Sequence, residues 1–151
     1  MLTNKARYGL RAMCALAQGG GVRLQAHAIA SRASVPAKFL EAILVDLRKA
    51  GFVDSRRGHR GGHALARPAS EIAVGELIRA IDGPLAPVRC ASISAYEPCL
   101  DCVEPDRCAV RALMRETRSA LARVLDGCSL QSLSEDGQHG SASTPRAEAA
   151  R

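Results

Sequence analysis

The chain has 151 residues, of which 47% are hydrophobic, and it carries a net charge of +6 at neutral pH. This length suits one domain with an extension, and the basic charge favours an anionic partner, with nucleic acid ahead of a membrane surface. Because no segment approaches the length of a transmembrane helix, and because Lys5, Arg7 and Arg11 interrupt the N-terminal apolar residues, we expect a cytoplasmic protein with no membrane partner.

Three helices are predicted at the start of the chain. The first is capped by Thr3 and runs to about Gln18, with apolar residues at helical spacing and glycines after its end. A short second helix fits Gln25 to Arg32. A third fits Pro36 to Ala50, where proline in the first turn costs no hydrogen bond. The short segment between the second and third helices suits a helix-turn-helix motif.

A β-hairpin and a fourth helix follow. One strand is predicted over Phe52–Arg56 and the return strand over His63–Ala66, with glycines between them that tolerate positive φ angles. The fourth helix spans roughly Ala73–Asp82. Three helices followed by a hairpin is the order of a winged helix-turn-helix domain, which we place at residues 1–83 in a mainly α fold with a small β-hairpin wing.

Charge placement in this domain favours DNA. Residues 48–67 contain six basic side chains and the single acid Asp54. Glycines in the hairpin tip allow its basic residues to approach a phosphate or a narrow groove closely, and Glu41 on the third helix could accept from a cytosine amino group. A solvated hairpin and an ordinary surface carboxylate are the alternatives. The candidate DNA-binding residues are Lys38, Glu41, Arg56, Arg57 and Arg60.

Cysteines crowd the segment that we place at residues 84–107 and the start of the next helix. Cys90, Cys99, Cys102 and Cys108 lie within 19 residues. Thiolates at such spacing can hold an iron–sulfur cluster or zinc, and a disulfide cycle between Cys99 and Cys102 is a third possibility. Basic neighbours of these cysteines are expected to favour thiolate in every case.

A long helix from about Cys108 to Leu125 ends the ordered part of the predicted structure. Its apolar seam has little core left to cover, so we assign residues 108–128 to homodimerisation and expect residues 129–151 to be disordered. The seam consists of Val110, Leu113, Met114, Thr117, Leu121, Val124 and Leu125.

Residues 2 to about 126 resemble the iron–sulfur cluster regulator family of bacterial winged-helix repressors and activators that includes IscR, NsrR and RirA. The matching segments are LTNKARYGLRAM, FLEAILVDLRKAGFV, RRGHRGGHALARP and IAVGELIRAIDG. The resemblance implies that Glu41 and Arg57 make base and groove contacts.

The same resemblance assigns part of a metal site. It implies that Cys90, Cys102 and Cys108 bind a 2Fe-2S or 4Fe-4S cluster. In IscR a histidine one turn into the long helix completes the site, and this chain has Arg111 there. Because arginine stays protonated, we expect Cys99 to supply the fourth ligand.

These features predict a homodimeric transcriptional regulator that binds a double-stranded operator. It would sense iron, redox or nitric-oxide status through a cysteine-ligated cluster. The alternative is a winged-helix protein that uses zinc or thiol redox chemistry without a cluster. We do not expect an enzyme, since no phosphate-binding glycine loop, Ser–His–Asp order or paired carboxylates stand out.

Overall fold

The computed structural model describes residues 2–102 and 104–139, and it confirms the mainly helical winged-helix architecture. The elements are α1 (Asn4–Gln18), α2 (Ala26–Ala33), α3 (Ala37–Lys49), β1 (Val53–Arg56), β2 (Gly62–Leu65), α4 (Val74–Asp82), α5 (Ala109–Asp126) and α6 (Leu130–His139). Short 3-10 turns lie at Ala69–Glu71, Arg89–Ala91 and Pro105–Arg107. None of the helices within these described ranges is long and apolar enough to cross a membrane.

Thr3 fixes the beginning of α1 and also joins it to α4. Its hydroxyl oxygen accepts a hydrogen bond from the amide of Ala6 at 3.1 Å, which satisfies a free N–H of the first turn. Its own amide and hydroxyl donate to the carboxylate of Asp82, the last residue of α4. The predicted cap is therefore present, and it ties together the ends of two helices far apart in the sequence.

Aliphatic side chains build one core between the helices of the winged-helix domain. The turn between α2 and α3 is tight because Ser34 adopts a left-handed conformation with φ of 50°. The large side chains with less than 2% exposure are Met13, Ile29, Leu40, Ile43, Leu44, Leu47, Ile72, Leu77 and Leu130. Burial of this apolar surface provides the main favourable term for folding.

The wing is a two-stranded antiparallel hairpin in which Val53 pairs with Leu65 and Arg56 with Gly62. An added Cβ at Gly61 would lie 2.7 Å from the carbonyl carbon of Arg57, so the turn admits only glycine there. Gly62 has a φ of 124°, and its Cβ position lies 2.8 Å from the carbonyl oxygen of Leu24. Glycine thus lets the hairpin pair with the segment before α2, through a bridge between Leu24 and His63.

Helix α5 lies outside the core and contacts the winged-helix domain through its C-terminal end. None of its residues is buried. At its C-terminal end Asp126 accepts two hydrogen bonds from Arg79 of α4, at 2.7 and 2.8 Å. Gly75 makes room for this ion pair, because a Cβ there would collide with the carboxylate of Asp126.

The prediction that residues 129–151 are disordered is wrong for the part that the structure describes. Helix α6 packs on α1 and on the 3-10 turn at Ala69–Glu71. Leu130 is fully buried, its amide donates to the carbonyl of Ile72 at 2.8 Å, and Gln18 donates to the carbonyl of Ser134 at 3.1 Å. These tertiary contacts stabilise a helix that could not be predicted from its polar sequence. Residues 140–151 lie outside the described residues.

Candidate functional site

Helix α3 and the wing enclose a cleft on the outer side of the domain. The buried side of α3 is formed by Leu40, Ile43, Leu44 and Leu47, which leaves Glu41 on its exposed side. The cleft has a volume of about 320 Å³ and is lined by Ala26, Glu41, Leu44, Val45, Arg48, Ser55, Arg56, Arg57 and His63. Two basic residues of the wing therefore face the carboxylate-bearing side of α3.

Three of the five sequence-predicted DNA-binding residues meet in this cleft, namely Glu41, Arg56 and Arg57. Lys38 is exposed on the first turn of α3, where its ammonium lies 4.8 Å from the ring centre of Phe39. Arg60 is exposed in the hairpin turn, outside the cleft lining. Lys38 and Arg60 thus belong to α3 and the wing but are not part of the cleft lining.

The wing is anchored by Arg23, which the sequence analysis did not single out. Its guanidinium pairs with the carboxylate of Asp54 and donates to the carbonyls of Asp54 and Gly62, at 3.2 and 3.3 Å. Beside it, Gln25 donates to the carbonyl of Gly61 at 3.1 Å. The sequence alone does not show whether a basic residue in a short connecting segment binds other parts of the fold or is solvated.

The lone acid of the basic segment is neutralised within the wing. The hydrogen bond from Arg23 is the main cause that lowers the pKa of Asp54 below its ordinary value. Arg56 lies 3.8 Å from the same carboxylate. The negative charge of Asp54 therefore offsets the positive charge of Arg23. Because Asp54 does not line the cleft, it does not offset the charges of Arg48 and Arg57.

His63 lies beneath the wing arginines on β2. Its Nδ1 is 2.8 Å from the hydroxyl oxygen of Ser55 across the hairpin. Burial is the main cause that lowers the pKa of His63 below 6.5, and the positive charges of Arg23 and Arg48 lower it further. The imidazole is therefore biased toward its neutral form, as a hydrogen-bonding part of the wing.

The second candidate site is the cysteine loop at the N-terminal end of α5. Cys90 is buried in the turn at Arg89–Ala91, Cys99 is exposed, and Cys102 is partly buried. Cys108 is the N-cap of α5, and its sulfur accepts from the amide of Arg111 at 3.4 Å. The loop therefore presents its sulfurs where the helix begins.

The thiols of the loop influence one another's protonation. A hydrogen bond from Cys99 to Cys90 is the main cause that raises the pKa of Cys99, and the negative charge of Cys90 adds to it. Burial raises the pKa of Cys102, with a further contribution from Cys108. Four free thiols on one loop fit the donor chemistry of an iron–sulfur cluster or of zinc. Within residues 2–102 and 104–139, no three His, Cys, Asp or Glu side chains already converge on a metal-sized position.

The expectation that basic neighbours favour thiolate is wrong for Cys99 and Cys102, because Cys90 is the main cause that raises the pKa of Cys99 and burial is the main cause that raises the pKa of Cys102. The basic neighbours of the loop are themselves paired with carboxylates. Arg89 pairs with Glu97, Arg107 with Glu104 at 3.2 Å, and Arg111 with Asp106 at 2.7 Å.

Two arginines of α5 hold the first cysteine of the loop against the helix. Arg111 donates to the carbonyls of Cys90 and Pro105, at 3.0 and 3.2 Å. Arg118, two turns further along, donates to the carbonyl of Ala91 at 2.8 Å. Arg111 therefore binds backbone oxygens at the position where the resemblance implies a metal-binding histidine.

The other cysteines lie apart from this loop. Cys14 is partly buried on α1, and burial is the main cause that raises its pKa. The charge of Cys128, which precedes α6, raises it further. Both positions belong to the helical domain and not to the metal-site candidate.

Comparison with known proteins gives concordant matches. The family model Rrf2, described as an iron-dependent transcriptional regulator, matches residues 2–136. An rrf2-like HTH-type transcriptional regulator of Rhodobacter capsulatus is 39% identical over 137 residues, which cover 88% of this chain and 91% of the relative.

Solved structures match over nearly the whole chain. CymR of B. subtilis, titled the global cysteine regulator, is 34% identical with a TM-score of 0.73, and the match covers 90% of this chain and 97% of CymR. IscR of T. potens is 27% identical with a TM-score of 0.72, and it covers 96% and 93% of the two chains.

Proposed function

This chain belongs to the Rrf2 family of transcriptional regulators, which are not enzymes, and we propose that it is a cytoplasmic homodimer that senses iron, redox or nitric-oxide status through an iron–sulfur cluster. The proposal has three parts, which concern the DNA interface, the cluster loop and the dimer. Each part is supported by a different region of the structure.

The cleft between α3 and the wing is the observation that carries the DNA interface. It joins Glu41, which can accept from a cytosine amino group, to Arg48 and Arg57, which can bind phosphate or a groove. Neither arginine forms an ion pair with the acids of the described residues, so both charges are available to DNA. Arg56, Arg60 and Lys38 extend the basic border of this interface.

The cysteine loop is proposed to hold the cluster with Cys90, Cys102 and Cys108, and Cys99 is proposed as the fourth ligand. The effect of Cys90 on the pKa of Cys99 supports this assignment, because it indicates that the additional thiol lies near one of the three ligands that the resemblance implies. Arg111 leaves the fourth position open, since it is engaged with carbonyl oxygens. A bound cluster would supply a charge and a redox state that the loop can report.

A dimer is supported by the apolar stripe that α5 leaves uncovered. Val110, Leu113, Leu121 and Val124 are all exposed on one side of this helix. A stripe of this kind is costly to leave in water, and two antiparallel or crossed copies of α5 would cover it with the same surface from each subunit. Such a dimer would present two wings to a pseudo-palindromic operator.

Helix α5 offers a route from the loop to the DNA interface. Its N-terminal half holds the backbone of Cys90 and Ala91, and its C-terminal end is fixed to α4 by Asp126 and Arg79. Helix α4 is in turn joined to α1 through Asp82. A rearrangement of the loop on cluster binding or loss would therefore displace elements that pack against α3. Such a displacement regulates DNA binding if the two states of the protein bind DNA with different affinity.

Arg57→Ala tests the DNA interface. We expect the variant to bind a selected operator at least about tenfold more weakly, since a charge-assisted contact is lost. A smaller salt dependence would identify a phosphate contact, and a changed sequence preference would identify a groove contact. Fluorescence anisotropy with duplex DNA measures both.

Arg115→Ala is the matched control, because Arg115 is exposed on α5 away from the wing. We expect this variant to bind like the unmodified protein. If Arg57→Ala also binds every duplex unchanged, the wing has no part in recognition.

A second candidate is a regulator that senses thiol redox state or holds zinc in the same loop. The four cysteines of the loop favour it, because Cys99 and Cys102 could close to a disulfide and the four thiolates could instead bind zinc. The similarity to CymR, the global cysteine regulator of B. subtilis, points in the same direction. Iron, sulfide and zinc analysis of anaerobically purified protein separates these candidates from the cluster.

A further inference from the structure

An aliphatic side chain stands among the charged residues of the proposed DNA-binding surface. Val45 lies on α3 and is 41% exposed, although four apolar neighbours on the same helix are buried. It lines the cleft beside Glu41 and Arg48. The valine therefore presents apolar surface to solvent on the outer side of the helix.

Helical spacing places Val45 in the middle of the surface that would enter a major groove. Lys38, Glu41, Val45 and Arg48 follow one another at intervals of three, four and three residues, which puts them on one side of α3. Ala42, next to Glu41, is also exposed and small. An apolar patch thus lies between a carboxylate and a guanidinium that can bind DNA.

The major groove contains one apolar group at its base edges, the 5-methyl group of thymine. We propose that Val45 contacts a thymine methyl group next to the base that Glu41 contacts, and that it thereby sets the base preference at that position. This inference rests on the proposed DNA-binding function and names a determinant within it. A valine that covers a methyl group removes apolar surface from water on both sides of the contact.

Deoxyuridine differs from thymidine only by the missing methyl group, so it provides the test. An operator is first selected with the unmodified protein, and each thymine is then replaced by deoxyuridine in turn. We expect one replacement in each half-site to weaken binding about fourfold, the effect of one buried methyl-sized group. For Val45→Ser the same replacement should leave the affinity unchanged.

Val22→Ser is the matched control, since Val22 is also exposed but does not line the cleft. It should keep the full deoxyuridine effect. Circular dichroism and thermal unfolding check that both variants fold, which is expected because both side chains are on the surface.

The outcomes separate the two proposals. Binding of the operator without any deoxyuridine effect would overturn the thymine contact and leave the DNA-binding function intact. An equal deoxyuridine effect in Val45→Ser would also overturn it, because another residue would then touch the methyl group. Failure of the unmodified protein to bind any duplex would instead remove the proposed function, and the thymine contact with it.

Discussion

At the scale of residues, ion pairing decides which arginines of this basic chain remain available to DNA. Arg23, Arg89, Arg107 and Arg111 each have a carboxylate partner. These pairs anchor the wing or fold the cysteine loop, and exposed pairs of this kind add little to stability individually. Arg48 and Arg57 have no such partner among the described residues, so neither of these two guanidinium groups in the cleft is held by an ion pair.

His63 makes the stability of the wing depend on pH. Its pKa in the folded protein is lower than its ordinary value of 6.5, mainly because of burial. The unfolded chain therefore binds the proton more readily, and the contribution of His63 to stability is lost as the pH falls below 6.5. Between about pH 7.5 and about pH 5.5, His63→Gln should show a smaller decrease in thermal midpoint than the unmodified protein.

His27→Gln serves as the control for this measurement, because His27 is an exposed histidine on α2. Its thermal midpoint should decrease with pH as that of the unmodified protein does. Identical pH profiles for His63→Gln and the unmodified protein would show that His63 does not titrate in this range.

At the scale of elements, the apolar seam of α5 predicts the dimer interface. Leu121 lies on this seam and is 43% exposed. Leu121→Asp should give a monomer in sedimentation experiments, because burial of an unpaired carboxylate costs on the order of several kcal/mol. The variant should keep its helical circular dichroism, since Leu121 is outside the core of the winged-helix domain.

Ser119→Asp introduces the same charge on the opposite side of α5, where Ser119 is exposed. This variant should remain dimeric. A folded dimer of Leu121→Asp at micromolar concentration would place the interface elsewhere.

Elements with strong local patterns were predictable, and elements that depend on distant contacts were not. The five helices and the hairpin have periodic apolar residues, a cap or glycines at their ends, and these local signals set their bounds to within a residue or two. Helix α6 has a polar sequence, and it is held by Leu130 under Ile72 and by Gln18 of α1. Contacts between residues far apart in the sequence cannot be recognised from the local sequence of α6.

The same distinction applies to the candidate sites. The cleft could be predicted in part, because the order of α3 and the wing brings Glu41 and Arg57 together in any domain of this architecture. The anchoring role of Arg23 and the carboxylate partners of the loop arginines could not, since each pair joins side chains whose geometry depends on the folded backbone. The expected thiolate bias failed because burial of Cys102 and the contact of Cys99 with Cys90, which also depend on the folded backbone, raise both pKa values.

At the scale of the whole molecule, α5 connects the cysteine loop, which would change on cluster binding, to the winged-helix domain, which would respond. Arg111 and Arg118 hold the loop, Asp126 holds α4, and the chain then returns so that α6 completes the core of the DNA-binding domain. The DNA-binding domain predicted from the sequence ends at residue 83. Residues 130–139 pack on that domain, so they belong to the same structural unit. This connectivity provides a continuous structural path for the proposed coupling between the loop and α3.

The affinity of the operator for protein with and without the cluster tests this account most directly. Protein reconstituted anaerobically with iron and sulfide is compared with the metal-free protein and with Cys102→Ala treated in the same way. We predict an affinity difference of at least about fivefold between the two states of the unmodified protein, the lower range of a coupling free energy between sites, and none for Cys102→Ala. Equal affinities in both states, or stoichiometric zinc without iron after reconstitution, would contradict it.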